Sequence, residues 1–312
     1  MFAIIGFAVV FGAILGGYLM EHGKITVLLQ PAELVIIGGA AVGTLLIANP
    51  LSTVIKILKG LSGILKGSPY TKAAYLDTLK MLYDLFMYAR KNGVMKLEED
   101  VENPHKSAVF SKYPRFLANH HAVDFICDTL RMSISGGVPA FDLDQMMEMD
   151  MEVHHHESSV PVAALTTVAD ALPGFGIVAA VLGVVITMGA LGGPPEEIGR
   201  KVASALVGTF LGILLCYGFF GPLASNLTKL NDAECDYLRC LQKGVIAFAK
   251  GSAPVLAVEF ARRSIASEVR PSFLELEAAC KGTAAAGAKG KAAPGPAKAA
   301  AAAAKAPAGA KK

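Results

Sequence analysis

Apolar residues along this 312-residue chain gather in four uncharged stretches, residues 2–20, 34–55, 171–195 and 202–228. Each is near or above the roughly 20 residues a helix needs to cross a bilayer. The third contains "LPGFGIVAAVLGVVITMGAL", a proline and repeated glycines inside an unbroken apolar run. In the interior of a soluble helix each glycine costs roughly 1 kcal/mol relative to alanine. In lipid, small residues let neighbouring helices approach closely. The pattern therefore predicts four transmembrane helices. The first has neither a basic leading region nor a small-residue cleavage site, and a second apolar stretch follows at once, so it reads as a retained helix rather than a signal peptide.

The stretches fall into two pairs. About a dozen residues ("EHGKITVLLQPAE") join the first pair and a shorter turn ("GGPPEEIGRK") the second, whereas over a hundred charge-rich residues separate the pairs. In that long segment "TKAAYLDTLKMLYDLFMYARKNG" carries apolar residues at helical spacing and a glycine stop, Gly93. A second helix is expected through "VDFICDTLRMSIS" to Gly136–Gly137, a third through "DLDQMMEMDMEVHHHESS" towards the membrane, and residues 224–267 read as a continuation of the fourth span. No strand signal of any length occurs. The fold class is thus all-α: an integral membrane protein with four transmembrane helices in two hairpins, a large helical cytoplasmic loop and a disordered basic C-terminal tail. The expected divisions are spans one and two over 1–55, the loop over 56–170, spans three and four over 171–228, a helical C-terminal segment over 229–282 and the tail over 283–312.

Lysine and arginine set the orientation. Lys56, Lys59 and Lys66 follow span two without an acid, while the first short turn has only Lys24 beside Glu21 and Glu33 and the second balances Arg200 and Lys201 against Glu196 and Glu197. The loop and both termini are placed on the cytoplasmic side.

Composition agrees with a membrane protein bearing a substantial soluble part. The chain is 53% hydrophobic and 18% charged, with a mean hydropathy of +0.48. Its formal charge of +3 comes from seven lysines after residue 280; residues 1–280 carry 22 basic and 26 acidic side chains, which argues against nucleic acid as a partner. Five scattered cysteines without a C-x-x-C pair read as reduced thiols.

The chemistry is notable for what the spans lack. None of the four stretches contains Asp, Glu, Lys, Arg or His, although an ion pathway through lipid normally needs such a group near the midplane. Either the protein moves no ions or a partner contributes the carboxylate. "MMEMDMEVHHHE" suggests soft-metal binding, but adjacent histidines on a helix point in different directions, and a half-buried helix with a polar face accounts for it. His120 and His121 lack a second ligand pair, and no nucleophile elbow or phosphate loop is present, so neither an enzyme activity nor a cofactor is expected. "ARKNGVMKLEEDVENP" sets Arg90 and Lys91 against Glu98, Glu99 and Asp100 across a glycine, a pattern suited to docking by complementary charge.

Four segments, "ARKNGVMKLEEDVENP…FSKYP", "ADALPGFGIVAAVLGVVITMG", "ALVGTFLGILLCYGFFGPLA" and "LAVEFARRSI", resemble the MotA-type stator subunits of bacterial flagellar motors. The resemblance spans about residues 1–270 and omits the tail. It implies an inner-membrane protein, five copies around two MotB-type chains whose membrane aspartate carries the ion, and loops that push on the rotor protein FliG. It implies rotor contacts for Arg90 and Glu98, and coupling roles for Pro173 and Pro222. Sodium-driven relatives place threonine where this chain has Ala180. An apolar residue there suits a proton, and Thr209 of span four adds one hydroxyl, too few oxygens for a sodium cage. The related ExbB/TolQ energisers of outer-membrane processes are the alternative family, with three spans expected. A self-sufficient ion channel is the alternative from another class.

Overall fold

In a computed structural model residues 2–189 and 192–280 are described, and among them every regular element is helical. The chain divides into two compact units, residues 1–271 and the remainder from 272. The tail over 283–312 lies outside the described residues.

Helix α1 (Phe2–Met20) is followed by the single turn α2 (Ile25–Leu28) and by α3 (Pro31–Ala48). The apolar stretch 34–55 expected as one span is cut: α3 stops at Ala48 and a separate helix, α4 (Leu51–Lys66), begins after Pro50. A residue before proline is driven out of the helical region, and Asn49 is accordingly extended at φ −135°, ψ 146°. α4 is amphipathic, burying Thr53, Ile57 and Ile64 while its lysines stay outside. The other end of the second span differs too. Pro31 opens α3 at its first position, where the missing N–H costs nothing, so the span includes Glu33. The expectation that all four spans lack Asp, Glu, Lys, Arg and His is corrected here.

The charged segment between the apolar pairs follows its periodicity. α5 (Lys72–Asn92) starts at Thr71, whose hydroxyl accepts the Ala74 N–H, and stops at Gly93 with φ +88°. The chain continues through a 3-10 turn (Val94–Leu97), α6 (Glu98–Glu102), a 3-10 turn (Phe110–Lys112) and α7 (Pro114–Leu117). α8 (His120–Gly136), capped by Asn119, ends at Gly137 in the left-handed region. α9 (Ala140–Met188) is then continuous for 49 residues, joining the third loop helix to span three without a break. α10 (Pro195–Leu215), a π turn (Cys216–Phe220) and α11 (Gly221–Ala249) carry the fourth apolar stretch out into the charged region, and α12 (Pro254–Ser264) folds back. α13 (Phe273–Cys280) belongs to the second unit.

Four of these helices contain a window long and apolar enough to cross a membrane: α1, the run Ile25–Ala48, α9 and the α10–α11 run. Outside those windows α5, α8, α9, α11 and α12 share a conventional core. Phe86 of α5 is fully buried and stacks on Phe248 of α11 at 4.4 Å and 6°. The hydroxyls of Thr78 and Tyr237 meet at 2.7 Å within it. Buried Gln242 donates to Asp144 Oδ1 at 2.9 Å and Glu148 Oε2 at 3.0 Å, and Asn231 donates to the Ser158 carbonyl at 2.7 Å. α9 and α11 are thereby fixed side by side as they leave the apolar region.

Candidate functional site

Span three of α9 and α10 cross at near backbone contact, and the sequence dictates it. α10 carries Gly208 and Gly212 in a small-xxx-small arrangement, a spacing that puts both on one helix face. A methyl at Gly212 would lie 2.6 Å from the Leu172 carbonyl oxygen and 2.9 Å from Gly176 Cα. One at Gly176 would lie 2.8 Å from the Gly208 oxygen and 3.3 Å from Thr209 Cα, and one at Gly183 2.6 Å from Ala205 Cβ. No side chain larger than hydrogen fits this seam without moving backbone.

Ala180 and Thr209 both border this crossing, the Ala180 nitrogen near Gly208 and the Thr209 Cα near Gly176. The space above Gly208 is bounded by Ala179, by the Ala180 nitrogen and by a carboxylate, that of Glu33 on α3. Glu33 is only 6% exposed, and its Oε2 is buried with no hydrogen-bond partner among the described residues. An ionised carboxylate in apolar surroundings without a donor is strongly disfavoured. Sequence reading missed this residue because it drew the span from its first uninterrupted apolar residue. The signal available was "QPAE": proline at the first helical position with an acid in the first turn marks a helix start.

The opposite face of span three is unfilled. Ile177, Val178, Val181, Leu182, Val184 and Val185 are exposed on the chain taken alone. At the other end of the seam a cavity of about 530 Å³ has a mixed lining, with Asp170, Lys229 and Asp232 beside Ala169, Tyr217 and Ala224.

Two prolines sit at the boundary between apolar and charged regions. Pro173 is inside α9, where it cannot donate to the Ala169 carbonyl and its ring crowds that oxygen. Pro222 is near the start of α11, directly after the π turn. Such a turn widens the helix by one residue, which relieves a proline ring of the carbonyl four residues back. The two prolines belong to adjacent helices; Arg90 and Glu98 lie away from them, at the end of α5 and the start of α6. Both charged residues are exposed, and neither takes part in an ion pair or side-chain hydrogen bond among the described residues. Their neighbours Leu97, Asp100 and Val101 are buried, so the turn that presents Glu98 is anchored.

The histidine run resolves into unlike members. His154 is mostly buried and faces Glu234 of α11, Nε2 to Oε1 at 3.7 Å, an ion pair longer than a hydrogen bond. The His121 ring of α8 lies 4.8 Å from that of His154, and Asn119 donates to the Tyr70 hydroxyl beside Glu234. The carboxylate raises the His154 pKa above its ordinary value despite burial. Burial alone would raise Glu234, but His154 and His121 hold it below the usual carboxylate range. His155 faces Cys235 at 3.5 Å. Among the described residues no His, Cys, Asp and Glu cluster is arranged to hold a metal.

Comparison with known proteins is consistent with this geometry. Residues 4–93 match the family described as Motility protein A N-terminal, and residues 118–239 match the MotA/TolQ/ExbB proton channel family. Motility protein A of Escherichia coli (strain K12) is 44% identical over 277 residues, covering 89% of this chain and 94% of the relative. The MotAB structure from C. jejuni superimposes with a TM-score of 0.72 at 18% identity, over 87% of this chain and 98% of that one. The flagellar MotAB stator complex from Bacillus subtilis gives 0.66 at 22% identity, over 82% and 92%. At those identities the solved structures establish the fold.

Proposed function

This chain belongs to the motility protein A family, and from that premise we infer that it is a stator subunit of the bacterial flagellar motor. It resides in the inner membrane and works with a MotB-type partner in a proton-conducting complex rather than as an enzyme. The observation that carries the reading is the 44% identity extending over 94% of the Escherichia coli relative. The match of residues 4–93 to the motility-specific N-terminal family favours it over an ExbB/TolQ energiser.

The finer picture is that of two membrane hairpins, α1 with α3 and span three with span four. The charged bundle, the tail and both termini face the cytoplasm. Several copies, five by family resemblance, surround the partner's single membrane helices. The unfilled apolar face of span three supports this, since a helix face left without neighbours in the chain needs lipid or protein against it. Exposed, unpaired Arg90 and Glu98 are suited to contact FliG by complementary charge. Pro173 and Pro222 stand where α9 and α11 leave the membrane, so weakened backbone bonding there gives the bundle a place to pivot.

Ala180 brings only its backbone nitrogen to the seam, beside the Ala179 methyl group, and Thr209 supplies one hydroxyl. That environment passes a proton more readily than it strips water from sodium, which needs several oxygen ligands. Motor speed in cells relying on this chain and its partner is expected to collapse with a protonophore and to ignore sodium at constant ionic strength. Speed that rises with sodium and survives the protonophore would overturn the proton assignment.

A further inference from the structure

Resting on the stator reading, we propose that Glu33 is a second proton-binding group of the conduction route, placed at its outer end ahead of the partner's carboxylate.

Its position carries the idea. With the bundle cytoplasmic, α3 begins on the outer side, and Glu33 occupies its first turn. Its carboxylate reaches the α9–α10 crossing, where a methyl on Gly208 would stand 2.7 Å from Oε2. Ala180 is eight residues from Met188, the last residue of α9, so at 1.5 Å per residue the crossing is about 12 Å inside that end. The carboxylate therefore sits in the membrane beside Gly208 and the Ala180 nitrogen, one residue in sequence from Thr209, the other group assigned to the proposed ion path. The cavity with Asp170 and Asp232 in its lining lies at the inner end, so acidic groups bracket the seam.

The chemistry narrows the ligand to a proton. Oε2 is buried and unpartnered, and the faces of α9 and α10 that meet it offer Ala179, Ala180 and Gly208, none of them titratable. Along the packed elements the basic residues in sequence are Lys24 ahead of α2, and Arg200 and Lys201 in the first turns of α10, with Lys201 engaged by Glu197 at 3.0 Å. A metal cation would need further oxygen ligands that these residues do not provide. Protonation removes the buried charge without any second ligand. The cycle is balanced: the carboxylate takes a proton from hydronium, leaving water, and returns it to a water deeper in the route. The glycine at 208 has a reason here beyond packing, since any side chain would displace the carboxylate.

The test uses the full chain with its partner in motile cells. Single-motor speed at fixed load is followed against external pH for wild type, Glu33→Gln and Glu33→Asp, with membrane stator number counted by a fluorescent fusion. Glutamine keeps the shape and cannot hold the proton. Glu33→Gln is expected to assemble normally but to need several-fold more external protons for half-maximal speed, and Glu33→Asp to lie near wild type. A glutamine profile that overlays wild type would mean that Glu33 only packs, and overturns the proposal. Infrared titration of the purified complex gives a second readout that does not depend on torque. A carboxylic C=O band that titrates in wild type and is missing in Glu33→Gln supports the proposal; its absence in wild type refutes it. Failure of the stator reading would show separately, as a wild-type motor indifferent to the protonophore.

Discussion

The same helices are held together in two different ways along their length. In the apolar half, α9 and α10 touch through glycines, and a methyl at Gly212 would strike the Leu172 carbonyl at 2.6 Å. In the charged half, polar bridges from Gln242 and Asn231 join α11 to α9, and a full aromatic side chain of α11, Phe248, stacks on Phe86 of α5. Lipid supplies no hydrophobic drive between helices, so close backbone approach must do the work there. Water does supply that drive, and large apolar side chains exploit it. Long helices crossing both media therefore change their packing code at the boundary, which is where Pro173 and Pro222 stand.

The sharpest way to break the contrast is to remove volume from one half and add it to the other. Phe86→Ala deletes a fully buried ring stacked on Phe248 and is expected to cost about 3–5 kcal/mol, read as lost membrane accumulation and a lower melting temperature in detergent. Gly212→Ala adds one methyl to the seam and is expected to cost roughly 1–3 kcal/mol through forced backbone shifts. Gly199→Ala on the same helix meets nothing within 4 Å and leaves the melt unchanged. Equal effects from Gly212→Ala and Gly199→Ala would refute a packed glycine seam.

Surface charge is a milder perturbation of the fold. Reversing Arg90 or Glu98 is expected to shift stability by about 0–1 kcal/mol, because exposed charges contribute little. Torque is nevertheless expected to fall, and a compensating reversal on the rotor to restore it. Disappearance of the variants from the membrane would assign these residues to folding instead.

The smallest effect concerns His154 and Glu234, which tie α9 to α11. His154 has a folded pKa above its ordinary 6.5. Its contribution is therefore fully present below about pH 6.5 and fades as pH rises through the folded value. Glu234, held below 4.5, contributes above about pH 4.5 and loses its share as pH falls through its folded value. Thermal melts of His154→Gln are expected to lose the decline on the alkaline side. A decline as steep as in wild type would place the pH response elsewhere.

Much of this was legible beforehand because hydrophobic periodicity reports local structure directly. The apolar runs, the Gly93 stop and the stop at Gly136–Gly137 each mark an element in the fold. Span boundaries were less legible. Pro50 cut one apolar stretch in two because the residue before a proline leaves the helix, while Pro31 opened a helix earlier than the apolar run suggested. Both depend on single residues that an averaged hydropathy pattern passes over.

The chain by itself determined that it is helical, that four segments suit lipid and that charges gather at the turn joining Arg90 to Glu98, since composition and spacing fix these locally. Tertiary structure alone decided that Gly176, Gly208 and Gly212 share one seam, that His154 meets a glutamate 80 residues away, and that Glu33 turns inward to the crossing beside Ala180. Those outcomes depend on which faces of distant helices meet. A side chain's partners across a crossing are set by rotation and depth, quantities that no single helix encodes.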